Sequence, residues 1–519
     1  MLNRKPRVLV LIVAYNAEKT ISGIVRRIPA ELEHFYEVEI LIIDDASQDL
    51  TFAKSHEASK GGDSAFPVRV IFNPLSRGYG GNQKLGFQYA IEKGFDLVAL
   101  LHGDGQYAPE SLPDLLDPLR KGEADALLGS RMLKSRSALR GRMPLYKFLG
   151  NKILTWIQNK LLHAHLSEFH SGYRIYSVEA LRAIPFERNS NGFHFDTEIT
   201  IQLLIAGRKI EELPIPTYYG SEIRHVKGLA YAVNVLGATL KARLQEMSLF
   251  YDRRFDCAPP ETYSPYTLKL NYTSPHTMTR DRVRLGQRVL DLGCAGGYMG
   301  SVLRETKHCS VTGVDVTPPQ RGTVDEFWIH DLNLGVPRIR AQDYDVVLML
   351  DVIEHLNKPE AFLEELRQAL ALNTSIEMII STGNVGCFIT RIMLLAGQFN
   401  YGKRGILDAT HTRLFTFGSL RRALRQAGFD ILETKGVPAP FPLATGDNWI
   451  GRTLLALNQC LIPIARGLFA YQIFMRVKPQ PSVQSLLRIA EEQSRAKARV
   501  LETDEWTLHD ASASDRPRL

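Results

Sequence analysis

Short runs of aliphatic and β-branched residues recur along this chain with amphipathic segments between them, and the runs end in polar or glycine-rich residues. From Arg7 to about Gly129 they read VLVLIVAY, EILIIDD, VRVIFN, LVALLHGD and ADALLGS. Near-continuous apolar runs bounded by turn residues predict strands buried on both faces, which is the rhythm of a parallel α/β sheet. A second series begins at RVLDLGCAGG and continues through VTGVD, YDVVLMLD and IEMIIST, with helical segments such as PEAFLEELRQAL between the strands. Open α/β sheets bind ligands beyond the carboxyl ends of their strands, so the chemistry is expected at those tips.

Two such series fit a chain of 519 residues, which exceeds what one core usually organises. Between them lies DRRFDCAPPETYSPYTLKLNYTSPHT, rich in proline, tyrosine and threonine and without apolar periodicity. It predicts a linker over 251–275, after a first domain at 1–250 and before a second at 276–478. Residues 479–519 become charged and rich in alanine and serine, and read as a helical or disordered tail. The halves share a fold style but no repeated sequence pattern.

Apolar residues at 45% and charged residues at 23% suit an ordinary globular enzyme. A net charge of +7 favours anionic partners, yet the excess is small and forms no single basic tract, so nucleic acid is not the expected partner. Five cysteines without a C-x-x-C pair predict reduced thiols and a cytoplasmic location. The first residues run from basic to apolar without a small-residue cleavage site, and read as a strand rather than a secretion signal. The most apolar window, Leu454 to Met475, is interrupted by Asn458, Gln459, Pro463 and Arg466. Any membrane contact is therefore expected to be peripheral, at the inner face.

The segment LIIDDASQD places Asp44 and Asp45 at one strand end, and ALLHGDGQYAPE places Asp104 and Gln106 at another. A carboxylate at such a tip can receive a nucleobase imide and ribose, while a second can hold a divalent ion against a diphosphate. GFHFDTEITIQ supplies Asp196 and Glu198. One of them can act as general base toward a hydroxyl acceptor, or both can form an acidic face at a helix start.

Together AYNAEKTI, IIDDASQD, NPLSRGYGGNQKLGF, HGDGQYAPE, GSRM, SGYRIYS and GFHFDTEI resemble family 2 glycosyltransferases of the GT-A fold, in particular those that place a sugar on a polyprenyl phosphate. The likeness spans roughly residues 5 to 240. It implies that Ala14, Tyr15, Glu18 and Asp45, with Arg131, contact the nucleotide sugar, and that Asp104 with Gln106 holds Mg²⁺ or Mn²⁺. The family motif Asp-x-Asp is here His102-Gly103-Asp104. His102 is either a ligand, suited to Mn²⁺, or a packed strand-end residue.

Similar lipid-phosphate enzymes follow G-S-R with arginines that contact acceptor phosphate, and the run Arg131, Lys134, Arg136, Arg140, Arg142 and Lys147 follows that pattern. Next, Leu145, Leu149, Ile153, Trp156, Ile157 and Leu161 fall close to one helical face. That face either lies in a membrane interface or packs on the sheet. Processive synthases of the family carry Q-x-x-R-W and several membrane spans, and this chain has neither, which favours transfer of a single sugar.

RVLDLGCAGGYMG is a strand entering a glycine-rich turn, where the backbone can approach a ligand closely. It is followed by Asp315 about twenty residues on, by HDLN with Asp331, and by DVIEH with Asp351, Glu354 and His355. This ordered set, over roughly residues 275 to 440, resembles class I S-adenosylmethionine-dependent methyltransferases, so that both domains are expected to be Rossmann-like. The resemblance implies Asp291, Gly293 and Gly297 around the methionine portion, Asp315 at the ribose and Asp331 at the adenine, with Asp351 completing the site. His411 or His355 can deprotonate an acceptor hydroxyl, or each is a structural hydrogen-bonding residue. The expectation is a bifunctional transferase acting on a lipid-phosphate or glycan acceptor and methylating a glycoconjugate. The alternative is a glycosyltransferase whose second domain binds S-adenosylmethionine without turnover.

Overall fold

The computed structural model describes residues 4–60, 64–134, 143–216, 228–247, 250–257, 270–371, 373, 375–442, 448–481, 486–487, 490–491 and 493–495. Most of the predicted tail, the central part of the predicted linker, and Arg136, Arg140 and Arg142 of the basic run lie outside the described residues. The chain divides into two compact units, Met1–Ser264 and Pro265–Leu519.

In the first unit the five expected runs form β1 (Arg7–Ala14), β2 (Glu37–Asp44), β3 (Val68–Phe72), β4 (Leu97–His102) and β5 (Ala126–Ser130). Two further strands, β6 (Arg174–Ser177) and β7 (Ile210–Pro214), complete a sheet of order β3-β2-β1-β4-β6-β5-β7. β6 runs antiparallel between β4 and β5. Its short SGYRIYS run carries too little apolar sequence to declare itself a central strand. Val8, Val10 and Ile12 of β1 face one core and Leu9, Leu11 and Val13 the other, so helices cover both faces. The helix Gly78–Lys93 crosses close behind β1 because Gly86 meets the Leu11 side chain, where any Cβ would collide. It ends at Gly94, whose φ of 69° closes the last turn in the left-handed region that glycine favours.

In the second unit the strands are β8 (Arg288–Leu292), β9 (Ser310–Asp315), β10 (Glu326–Ile329), β11 (Val346–Leu350), β12 (Glu377–Gly383), β13 (Phe429–Val437) and β14 (Gln472–Pro479). Their order is β10-β9-β8-β11-β12-β14-β13, with β14 antiparallel to both neighbours. Ser274 and Thr277 form a capping box that starts the helix Pro275–Arg282 ahead of β8. The apolar window Leu454–Met475 resolves into the end of the helix Trp449–Leu461, the short helix Arg466–Phe469 and the start of β14. Among the described residues no helix is long and apolar enough to cross a membrane.

Candidate active sites

Register brings the first set of predicted residues together. Ala14 pairs with Asp44 across β1 and β2, and Val13 pairs with His102 across β1 and β4. The tips carrying Ala14 and Tyr15, Asp44 and Asp45, and His102 to Asp104 therefore stand on three adjacent strands, each about 4.8 Å from the next. Gly103 fits because its Cα lies against Ala14, where a Cβ would sit 3.0 Å from the Ala14 Cα.

The carboxylates at these tips have unequal freedom. Asp45 accepts four hydrogen bonds, from the Asn73 side chain (3.0 Å), Ser76 Oγ (2.8 Å), Arg77 N (2.7 Å) and Gly78 N (2.8 Å). Its carboxylate folds the 73–78 loop, so the sequence expectation of a direct nucleoside contact meets a group whose two oxygens are already occupied. Glu18 likewise accepts from Leu50 N at 3.1 Å, while Asp49 accepts from Glu18 N at 3.2 Å, lacing together the loops after β1 and β2. Asp44, which the sequence does not single out from its neighbour, is fully buried; one oxygen accepts from Ser47 N at 2.9 Å and the other has no partner. Tyr15 is exposed.

Asp104 is exposed, and its Oδ1 accepts from Gln106 N at 3.0 Å. His102 closes β4 with Nε2 3.0 Å from Tyr79 Oη, and Tyr79 Oη donates to Asp196 Oδ2 at 2.8 Å. The hydroxyl has one proton, and an ionised carboxylate only accepts, so Tyr79 must accept from His102 Nε2–H. The neutral imidazole then keeps its lone pair on Nδ1. Burial lowers the His102 pKa, which favours that neutral ring, while the charges of Asp104 and Asp196 oppose the shift. Burial, reinforced by the Asp196 charge, raises the Tyr79 pKa and keeps its hydroxyl protonated. Gly172 backs the pair, since a side chain there would run into the His102 ring and Tyr79 Oη. Among the described residues no group of three or more His, Cys, Asp or Glu is arranged to hold a metal ion.

Asp196 and Glu198 open the helix Phe195–Ile205 but serve different ends. Asp196 accepts from Tyr79 and from Gln83 Nε2 (3.1 Å), and the buried Arg174 guanidinium lies 4.0 Å from its Oδ2. Glu198 is fully buried, paired with Arg254 at 2.6 Å and accepting from Ser190 N at 2.6 Å. Its oxygens hold the 190–198 turn and Arg254, a structural arrangement that differs from the base role read from the sequence. Arg131, just beyond β5, is paired with the fully buried Glu168, which also accepts from Asn151 at 2.8 Å. The helix Leu145–Leu162 packs along the helix Gly228–Glu246 and still exposes Leu145, Leu149, Ile153 and Trp156, with Ile157 and Leu161 half-buried. Leu229, Val233 and Leu240 of the second helix are exposed as well.

In the second unit a cavity of about 520 Å³ is lined by Asp291, Gly293, Asp315, Asp331, Asp351 and His355 among others. Gly293 (φ 77°) and Gly297 (φ 74°) need left-handed backbone, and a Cβ on Gly293 would lie 2.5 Å from Val352 Cγ2. Gly297 sits at the start of the helix Tyr298–Lys307, packed on Pro319 and Thr323 rather than on the cavity wall. Asp315 ends β9 and accepts from Ala295 N (2.9 Å) and Thr317 N (3.1 Å), which fixes the glycine-rich turn. Burial, and then the Asp315 charge, pushes Asp291 up to about 7. Asp351 (φ 54°) accepts from Ser381 Oγ and Gln472 Nε2, both at 2.8 Å. Burial and the Asp351 charge push the neighbouring Glu354 up to about 8.

The two histidines meet with ring centroids 4.8 Å apart and edge to face. His411 Nδ1 lies 2.9 Å from Ile406 O, and His355 Nδ1 lies 3.3 Å from Thr410 O. A carbonyl only accepts, so each ring carries its proton on Nδ1 and keeps Nε2 as an acceptor. His355 lines the cavity, while His411 is half-buried beside it with its pKa lowered, chiefly by burial. Tyr79 and Gln83 lie in the NPLSRGYGGNQKLGF run and Arg174 in SGYRIYS, yet the sequence assigns none of them a role, and Gln472 lies in no motif; only the fold assembles them into these constellations.

The folds define a protein with two group-transfer domains, a GT-A glycosyltransferase domain and a methyltransferase domain. The chain belongs to glycosyl transferase family 2 through residues 9–184, and a family model described as a methyltransferase domain matches residues 266–434. It is 29% identical over 214 residues to an undecaprenyl-phosphate mannosyltransferase of Micrococcus luteus, covering 40% of this chain and 82% of that protein. It is also 29% identical to a polyprenol monophosphomannose synthase of Mycolicibacterium smegmatis, covering 40% of this chain and 76% of that one. Glucosyl-3-phosphoglycerate synthase of Mycobacterium tuberculosis overlays with a TM-score of 0.34 at 18% identity, covering 45% of this chain and 80% of its own.

Proposed function

We propose that the first domain moves one sugar from a nucleoside diphosphate sugar to a polyprenyl phosphate, with inversion at the anomeric carbon, and that the second methylates a hydroxyl of the resulting class of glycolipid using S-adenosylmethionine. The observation that carries the first half is the convergence of the Ala14, Asp44 and His102–Asp104 tips on adjacent strands. The named activities of the two mannosyltransferase relatives support the acceptor class.

Asp104 has an exposed carboxylate and His102 a free Nδ1, a hard and a borderline donor that fit Mn²⁺ better than Mg²⁺. Asp104 and His102 would supply two protein donors, and donor diphosphate oxygens, water or Gln106 would fill the remaining positions. When bound, the ion neutralises charge developing on the departing nucleoside diphosphate. Tyr15, exposed beyond β1, would cover the nucleoside, and Asp44 is the buried acid at the neighbouring tip with an unengaged oxygen. A phosphate acceptor arrives ionised, so its oxygen attacks the anomeric carbon as the sugar–diphosphate bond breaks, and no strong base is required. That suits Asp196, whose carboxylate already accepts from Tyr79 and Gln83.

In the second domain Gly293 and the Asp291 carboxyl bound the methionine end, Asp315 the ribose and Asp331 the adenine. The acceptor oxygen takes the methyl group as the sulfur–carbon bond breaks, and its proton passes to Nε2 of His355, with His411 packed edge to face against that ring. The test is to incubate the full chain and Mn²⁺ with a panel of nucleotide sugars, with and without a polyprenyl phosphate, and then with labelled S-adenosylmethionine. Nucleoside diphosphate release that depends on the lipid, followed by label in the glycolipid, is expected. Release that ignores the lipid refutes the acceptor; S-adenosylmethionine binding without transfer to sugar or lipid assigns the second domain a regulatory role instead.

A further inference from the structure

Two segments of the second unit emerge at the end of the sheet where the cavity opens. One follows β12 at Gly383, and the other joins the end of β13 at Val437 to the start of β14 at Gln472; all three residues are aligned in register. The segments touch one another through Asn384, whose Nδ2 donates to Ala470 O at 2.7 Å, and through the Phe388 and Phe469 rings at 6.3 Å. They form a cap whose first segment contains His411, next to His355 on the cavity wall.

The outside of this cap is apolar. On the helix Phe388–Leu395 and just after it, Ile392, Leu394, Leu395 (89% exposed), Phe399 and Tyr401 face solvent. On the helix Trp449–Leu461 and just after it, Trp449 (76%), Leu457 and Ile464 (78%) are exposed at helical spacing. Scattered exposed apolar residues are ordinary, but side chains of this size gathered on one cap mark an interaction surface.

Charge identifies the partner. The two segments, residues 384–416 and 438–471, carry six cations, Arg391, Lys403, Arg404, Arg413, Arg452 and Arg466, against two acids, Asp408 and Asp447. The chain average of 56 acidic residues in 519 would place about seven in a stretch of that combined length. A protein partner would as readily meet mixed charge, whereas apolar side chains among cations with few acids match an anionic lipid surface. We infer that the cap of the methyltransferase domain docks on an anionic bilayer, with Trp449, Leu395 and Ile464 inserted at the headgroup level, so that the cavity receives its acceptor from the membrane. The inference rests on the proposed lipid-linked acceptor for the purpose of docking, but its test is separate.

The four tryptophans include Trp156 on the first domain, so a full-length variant with Trp156→Phe, Trp328→Phe and Trp506→Phe leaves Trp449 as the sole reporter. Its emission is followed on vesicles of brominated phosphatidylcholine with and without phosphatidylglycerol, after calorimetry has confirmed that the variant still binds S-adenosylhomocysteine. Quenching that needs phosphatidylglycerol and weakens in high salt is expected. Adding Leu395→Glu and Ile464→Glu, both at solvent-exposed positions, should raise the lipid concentration needed by about tenfold or more. Unquenched Trp449 on vesicles that the protein nonetheless binds overturns the inference and leaves the first domain's lipid acceptor standing. Quenching indifferent to the two glutamates or to phosphatidylglycerol overturns it equally.

Discussion

Tyr79 Oη lies 3.0 Å from His102 Nε2, and the hydroxyl's only proton is directed to Asp196. The tyrosine therefore sets which nitrogen of the histidine is free. Removing the hydroxyl in Tyr79→Phe lets the ring take either tautomer, and outer partners of this kind typically change metal affinity by about 10- to 100-fold. Mn²⁺ binding followed by electron paramagnetic resonance should weaken by that order, and nitrogen-15 NMR of the metal-free protein should show Nε2–H in the parent chain. Nδ1–H in the parent would contradict the relay.

Asp196 and Glu198 lie two residues apart and should respond differently to substitution. Glu198→Ala takes from Arg254 one of two carboxylate partners, Asp252 remaining, and from Ser190 N its buried acceptor, and is expected to cost roughly 2 kcal/mol, seen as a lower denaturation midpoint. Asp196→Asn changes the acceptor for Tyr79 and should lower sugar transfer with a smaller effect on stability. Equal stability losses in the two variants would contradict this division.

Two buried carboxyls give the second domain a pH signature. Asp291 and Glu354 are pushed up to about 7 and about 8, chiefly by burial, whereas in an unfolded chain they ionise near 4. Between those values the folded state holds protons that the unfolded state has released. Their stabilising contribution is therefore complete below about pH 4 and is lost as the pH rises through 7 to 8, by up to about 1.4 kcal/mol per pH unit for each group. Urea midpoints of the ligand-free protein should follow that fall, and Glu354→Gln should flatten its upper part; an unchanged slope in the variant would exclude Glu354 as its source.

Gly293→Ala should weaken S-adenosylmethionine binding in calorimetry, because the left-handed backbone and Val352 leave no room for a methyl group beside the cavity. Gly122→Ala, at a left-handed turn of the first unit with open space around it, is the control for backbone strain alone and should leave that affinity unchanged.

The strands and their tips were legible because a parallel sheet writes itself as continuous apolar runs ending in polar residues, which is why Ala14, Asp104, Asp291 and Asp315 fall where the sequence places them. β6 and the antiparallel β14 were not, since one is short and the other follows directly on an apolar helical stretch. Side-chain commitments were equally hidden. Asp45 and Glu198 sit in motifs that suggest ligand and proton chemistry, yet Asn73 reaches Asp45 from 28 residues away and Arg254 reaches Glu198 from 56, and only the tertiary fold shows that those oxygens are occupied. The Tyr79–His102–Asp196 relay spans 117 residues for the same reason.

The central claim, two separate transfer sites on one chain, is tested most directly by measuring both activities in Asp104→Ala and Asp315→Ala. The first variant should lose nucleoside diphosphate release while still binding S-adenosylmethionine as the parent does, and the second should lose methyl-donor affinity while still releasing nucleoside diphosphate. Full sugar turnover in Asp104→Ala, or unaltered methyl-donor affinity in Asp315→Ala, would contradict the assignment.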